Sequence, residues 1–246
     1  MYQQFERTRL LFGREAMEKL AASRVAVFGI GGVGGYVVEA LARCGVGALD
    51  LIDSDALSLS NRNRQLLATE ATLGRSKAEA AAERVRSINP DCRVRCRELF
   101  YLPGTRDQFD FHDYDYVVDA IDTVTGKLAL IEAAREAGTP IISSMGTGNK
   151  TEASLLEVAD LYETSVCPLA RIMRKECRRR GVERLKVVYS REKPLRPLET
   201  IRTPEEKGRR DIPGSTAFVP GAAGLILAGE VVKDLIAFDR SGREEE

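Results

Sequence analysis

Between Val27 and Gly34 the sequence reads Val-Phe-Gly-Ile-Gly-Gly-Val-Gly, a hydrophobic run that breaks into closely spaced glycines. Gly29, Gly31 and Gly34 keep the G-x-G-x-x-G spacing, in which the chain turns tightly and backbone N–H groups at a helix start face a phosphate. Asp53 follows nineteen residues after Gly34, where a carboxylate can accept hydrogen bonds from both ribose hydroxyls. Together they predict an adenine nucleotide; glycines that merely allow close helix packing are the plainer alternative. The usual inference is a dinucleotide and hydride transfer. Two features weaken it: Gly32 adds a fourth glycine, and the region after Asp53 is crowded with polar groups suited to phosphates. No G-x-x-x-x-G-K followed by Ser or Thr occurs, which also disfavours a P-loop. These features point to ATP held on a Rossmann-like frame.

The polar groups are Ser60-Asn61-Arg62-Asn63-Arg64-Gln65. An arginine can hold two phosphate oxygens at once, and Asn61 and Gln65 can orient sugar or phosphate groups. For Arg62 a solvated loop is the better reading; spacing alone leaves Arg64 open. Lys77 opens a helical run, where its charge opposes the helix dipole, so a bound polyphosphate would compensate it. Asp119 and Asp122 follow an apolar run, at the place where parallel strands present ligands. A carboxylate beside phosphates is repulsive unless it holds Mg²⁺ or a sugar, which makes Asp122 the metal candidate.

Stepping strands and helices position these groups. Leu10, Leu11, Met17 and Leu20 are spaced for one or two N-terminal amphipathic helices. Strands are expected at 24–28, 48–52, 93–99, 116–119 and 140–144, with helices at 36–44, 77–88 and 126–137 between them. This alternation predicts an α/β fold: a Rossmann-like, mainly parallel sheet with helices on both faces. Beyond Gly146 the pattern loosens into a C-terminal extension. There, antiparallel strands at 153–158 and 185–190 would flank a basic helix at 169–180. A loop with four prolines from Arg191 to Gly214 and an apolar helix from Phe218 to Phe238 would follow, with Arg240 to Glu246 frayed. We expect residues 1–22 to form a helical arm at a dimer interface, 23–145 the ATP-binding core, and 146–246 a substrate-binding extension of the same domain.

A chain of 246 residues that is 43% hydrophobic can bury a substantial core. Its formal net charge is zero, yet Arg171 to Arg210 holds fifteen Arg or Lys against six Asp or Glu. Such asymmetry suggests a polyanionic partner, although Arg-rich helices are often solvated faces. Five cysteines without a CxxC pair and a single histidine, His112, argue against structural zinc and for a reducing compartment. The apolar stretches are too short to cross a membrane, so the expected location is the cytoplasm.

Taken in order, Gly29 to Gly34, Asp53-Ser54-Asp55, Asn61 to Gln65, Lys77 and Asp119 to Asp122 resemble the E1-like adenylating family. The resemblance covers about Phe5 to Ser144. It implies that Asp53 and Asn61 contact the ribose region, Arg64, Gln65 and Lys77 the triphosphate, and Asp122 the Mg²⁺, with Asp55 in the same site. Arg7 resembles the arginine that crosses a homodimer interface to the partner subunit's ATP. Across the whole chain the sequence looks most like the tRNA threonylcarbamoyladenosine dehydratase branch. The segments that carry this are Phe5 to Leu11, Asn89-Pro90, Asp119 to Asp122, Pro168-Leu169-Ala170, Leu185 to Lys193, Pro213-Gly214-Ser215 and Phe218-Val219-Pro220.

The branch implies an ATP-dependent cyclisation of threonylcarbamoyladenosine at position 37 of tRNA, through adenylation of its carboxylate. Arg64, Lys77 and Mg²⁺ would stabilise charge on the phosphates, and a monovalent cation (Na⁺ or K⁺) is a further candidate cofactor. Arg171, Arg174, Lys175, Arg178, Arg179, Lys186, Arg191 and Lys193 would hold the anticodon stem-loop, mainly through phosphates. Sulfur-relay or accessory proteins are further candidate partners. Cys167 stands where relatives resemble an Asp-Pro segment and is read as structural or neutral. The alternatives are activation of a ubiquitin-like sulfur-carrier protein, against which the missing CxxC pairs speak, an RNA-binding module with a structural nucleotide, and, last, an oxidoreductase.

Overall fold

Short β-branched runs form the centre of the molecule. β1 (Arg24–Phe28), β2 (Ala48–Ile52), β4 (Tyr116–Asp119) and β5 (Ile141–Ser144) are buried along nearly their whole lengths. Strands apolar on both faces belong in a parallel sheet covered on both sides. A computed structural model of the chain, which describes residues 3–199, 212–239 and 241, shows such a sheet. With β3 (Arg93–Arg97), β6 (Leu156–Asp160) and β7 (Lys186–Ser190), its seven strands run in the order β3-β2-β1-β4-β5-β7-β6, and only β6 is antiparallel. β3 (Arg93–Arg97) is an edge strand of alternating charge, a composition that discourages further pairing.

Helices α3 (Gly34–Arg43), α4 (Lys77–Ile88) and α7 (Phe218–Leu235) cover one face. There Val37, Leu41, Ala81, Val85, Leu227 and Val231 pack on Val25, Val27, Leu49 and Val118. Helices α5 (Val124–Ala137) and α6 (Pro168–Arg179) cover the other, where Leu130 and Ala134 meet Ala26, Phe28 and Val117, and Met173 meets Val187. At the amino terminus, α2 (Arg14–Ala22) buries Met17 and Leu20, while α1 (Glu6–Phe12) buries nothing and leaves Leu10 78% and Leu11 64% exposed.

The extension differs from its expected form. Ala153–Leu155 makes a 3-10 turn, and β6 starts one residue later, at Leu156, running to Asp160. β7 (Lys186–Ser190) pairs antiparallel with β6 but parallel with β5, so both strands extend the central sheet rather than forming a separate one. The last helix ends at Leu235, three residues short of Phe238. Of the proline-rich loop, residues 200–211 lie outside the described residues, as do the terminal residues expected to fray, except Ser241.

Candidate active site

The chain leaves β1 toward β2 on one side and returns through β4 toward β5 on the other, which opens a crevice at the carboxyl ends of the strands. A cleft of about 910 Å³ lies there. Its first half is built on the glycine turn. Gly29 has φ +88°, and a Cβ there would lie 2.8 Å from the Ala120 carbonyl oxygen; a Cβ on Gly34 would fall 1.7 Å from the Gly29 carbonyl oxygen. These two glycines make the turn possible. Gly31 and Gly32 face the cleft, where added Cβ atoms would meet nothing nearer than 3.5 Å. The Asp53 carboxylate braces the turn, accepting from the Ile30 N–H at 2.6 Å and the Asp55 N–H at 2.8 Å.

Asp55, Asn61, Arg64, Gln65, Lys77 and Asp122 join these residues in the same cleft. Lys77 is buried, and its Nζ donates to Asp55 Oδ2 at 2.7 Å, with Asp53 Oδ1 at 3.8 Å. The expectation that a polyphosphate alone compensates this lysine is therefore corrected: two neighbouring carboxylates already do so. Arg64 stacks its stem over Gly32 and donates Nη1 to the Ser60 carbonyl and to Asn63 Oδ1. Asn61 Oδ1 accepts from the Ser58 N–H at 3.1 Å. Arg62 pairs with Glu70 at the surface, in keeping with a solvated loop residue. Two buried polar atoms in the cleft have no partner among the described residues, Gln65 Oε1 and the Tyr101 hydroxyl. Burial pushes the Tyr101 phenol up, so it remains a donor.

Asp119 and Asp122 have different surroundings. Asp119 is fully buried and accepts from Lys127 Nζ at 2.9 Å, from Ser143 Oγ and from the Ile121 N–H. Lys127, equally buried, also donates to the Ser144 carbonyl at 2.7 Å, so it ties the end of β4 to the end of β5. Asp122 is exposed at the rim, and no group among the described residues engages its carboxylate. No cluster of three metal-ligating side chains occurs among the described residues.

The second half of the cleft is assembled from distant segments: 144–150, the start of α6, Pro194 and 212–215. Asn149, at φ +58°, holds them together. Its N–H donates to the Gly214 carbonyl, its Oδ1 accepts from the Gly214 N–H, and its carbonyl accepts from the Leu195 N–H. Asn63 Nδ2 reaches the Ser215 carbonyl from the first half. Val166 stands at φ +44°, an arrangement that costs a β-branched residue about 1–3 kcal/mol, and it delivers Cys167 to the helix start. Cys167 and Lys150 are both buried and both line the cleft. His112 lies just before β4, at the amino ends of the strands and away from the cleft, paired with Asp110, and gives Cys167 no base.

The sequence reading missed Lys150, Asn149, Lys127 and Tyr101. Only the Gly-Asn-Lys turn carried a local signal, and such turns are common.

The basic residues divide. The side chains of Arg171, Lys175 and Lys193 are exposed and make no hydrogen bond or ion pair among the described residues. Arg174 bonds to Thr164, Arg178 lies over the Tyr162 ring, Arg179 pairs with Glu176, and Arg191 pairs with Glu157. Lys186 is a correction: it starts β7, at the sheet edge away from the cleft, and is held by Asp234 at 2.8 Å and Glu230 at 3.3 Å. Arg7, on α1, does not line its own chain's cleft and has an exposed side chain.

Comparison with known proteins follows this geometry closely. The chain is 41% identical over 243 residues to the tRNA threonylcarbamoyladenosine dehydratase of Bacillus subtilis, covering 96% of each protein. It is 42% identical over 173 residues to the enzyme of the same name from Escherichia coli, covering 70% of this chain and 65% of that one. The crystal structure of the E. coli tRNA N6-threonylcarbamoyladenosine dehydratase in complex with ATP superposes with a TM-score of 0.86 at 33% identity, covering 99% of this chain and 97% of that one. The ThiF family pattern matches residues 5–245, and with this likeness along nearly its whole length the chain belongs to the ThiF family.

Proposed function

We propose that the protein uses ATP to cyclise N6-threonylcarbamoyladenosine at position 37 of tRNA. The observation that carries this reading is a single cleft in which a glycine turn, Arg64, Lys77 and Asp122 open directly into a second, distal half. The near full-length likeness to dehydratases supports it. A carboxylate is a poor acyl donor until one of its oxygens becomes a good leaving group. In the first step the threonyl carboxylate attacks the α-phosphorus and pyrophosphate leaves. In the second, the internal nucleophile of the threonylcarbamoyl group attacks the acyl carbon, AMP leaves and a proton is lost, so the ring forms with net removal of water.

Gly31 and Gly32 admit the phosphates, and Asp53 and Asn61 hold the ribose region. Arg64 and Lys77 stabilise charge on the departing pyrophosphate. The unpartnered Gln65 Oε1 and Tyr101 hydroxyl are left to bond the nucleotide, as buried polar atoms should find partners. Mg²⁺ fits the unengaged Asp122, because this ion is commonly held by one or two protein carboxylates together with substrate phosphates; it would neutralise phosphate charge there. The reading assigns no residue to a monovalent cation.

Arg171 and Lys175 lie one turn apart on α6, with Arg178 and Arg179 a turn further, and form a basic stripe that leads from the cleft rim. Together with Lys193 they contact the phosphates of the anticodon stem-loop. Exposed Leu10 and Leu11 make α1 the homodimer contact that presents Arg7 to the partner's site. The reaction takes place in the cytoplasm, where accessory proteins could join it; no described helix is long and apolar enough to cross a membrane.

The deciding experiment incubates the protein with Mg·ATP and tRNA that carries threonylcarbamoyladenosine, followed by digestion in mild buffer and mass spectrometry. The cyclic nucleoside is expected. Unchanged nucleoside despite ATP binding, or adenylation of a carrier protein's Gly-Gly terminus instead, overturns the reading.

A further inference from the structure

Three cations line the cleft among the described residues: Arg64, Lys77 and Lys150. Lys77 is neutralised by Asp55, and Arg64 lies over the glycine turn. Lys150 stands apart. It is 2% exposed, and its ammonium has one acceptor among the described residues, the Gly146 carbonyl, although an ammonium offers three donors. Among the described residues it is the single charged side chain lining the distal half. Glu192 is nearby, but its oxygens are taken by the N–H groups of Thr151 and Glu152 and the Thr151 hydroxyl. Across from Lys150, α6 begins at Pro168 with no side-chain cap on its free N–H groups, because Cys167 occupies the N-cap. A helix of twelve residues carries partial positive charge at that end. A buried, under-bonded ammonium and an uncapped helix start, both lining one cavity, make an anion cradle.

We infer that Lys150 and the amino terminus of α6 bind the carboxylate of the substrate and so select for it. This assignment rests on the functional reading above and deepens it. The cradle is built from the distal segments of the same cleft that holds the glycine turn, so a carboxylate docked there belongs to the acyl substrate and shares one cavity with the phosphate it attacks. Its charge also offsets the repulsion between an incoming carboxylate and the phosphates it must approach. Burial lowers the Lys150 pKa, against the opposing influence of Cys167 and Glu192, the charged or titratable neighbours that bear on it. An anion docked beside it favours the ammonium form.

The test uses full-length protein, a non-hydrolysable ATP analogue and two anticodon stem-loop RNAs, one with threonylcarbamoyladenosine and one with its carboxamide. Wild-type protein should prefer the carboxylate roughly tenfold or more, the scale of a charge-assisted hydrogen bond. Lys150→Met should abolish this preference while leaving affinity for the ATP analogue and the carboxamide RNA unchanged. Lys150→Arg, which keeps the charge, should retain the preference. A Lys150→Met protein that folds, binds the ATP analogue and still prefers the carboxylate overturns the assignment. Failure of wild-type protein to convert the nucleoside with Mg·ATP sinks the functional reading instead, which separates the two.

Discussion

The two halves of the cleft are built by opposite strategies. The glycine half comes from one βαβ unit and the loop that follows it, with its turn, brace and cations drawn from residues 29–77. The distal half gathers 144–150, 167–172, 194 and 212–215, joined through Asn149 and Asn63 rather than through the sheet. A phosphate site depends on backbone shape, and backbone shape leaves glycines at fixed spacing. A site for a larger substrate depends on long-range clasps, which leave no spacing at all. The halves should accordingly fail in different ways when mutated.

The largest effect is expected at the joint between them. Lys127→Met leaves Asp119 buried beside no cation and should destabilise the fold by about 3–5 kcal/mol, measured by urea unfolding. A loss below about 1 kcal/mol would mean that the joint does not depend on this ion pair. Within the glycine half, Arg64→Ala should lower ATP turnover by roughly a hundredfold while changing tRNA affinity little. Equal losses in both would place Arg64 outside the phosphate site. In the distal half, Asn149→Ala removes the bond from the Gly214 N–H and should cost about 1 kcal/mol of stability. It should slow nucleoside conversion yet leave ATP affinity intact; a parallel fall in ATP affinity would erase the distinction between the halves.

At the rim, Arg171→Glu with Lys175→Glu should weaken tRNA binding and flatten its salt dependence, and a binding curve unchanged across salt would move the RNA surface elsewhere. The smallest effect concerns Glu192. Burial works against its ionisation, but the N–H donors of Glu152 and Thr151 hold its carboxyl below the usual range. Its contribution is therefore present above the ordinary glutamate pKa and is lost as pH falls through the lower folded value. Glu192→Gln should reduce this acid-side loss of stability, as followed by thermal melts between neutral and acidic pH.

Much of the fold was legible because its signals are local. Alternating apolar runs and helical periods located β1 to β5, three of them with the expected ends and two with an end shifted by one or two residues, but not the parallel pairing of β7 with β5. Asp53 could be placed by its step from the glycine turn, whereas Arg64, which spacing alone left open, was singled out through the family resemblance and Lys77 through its place at a helix start. Lys127 was hidden because a lysine within a helical run looks solvated until the topology sets Asp119 beneath it. Lys186 misled for the reverse reason: a count of basic residues cannot see Asp234 and Glu230, which arrive on the last helix. Asn149 and Lys150 gained meaning only when 212–215 folded over them.

Asp55 gives the glycine half one further property. A carboxylate tethered 2.7 Å from the Lys77 ammonium is present at high effective concentration, so every incoming anion has to displace it. Small anions that cannot outcompete a tethered rival are thereby excluded, and a triphosphate gains only the difference.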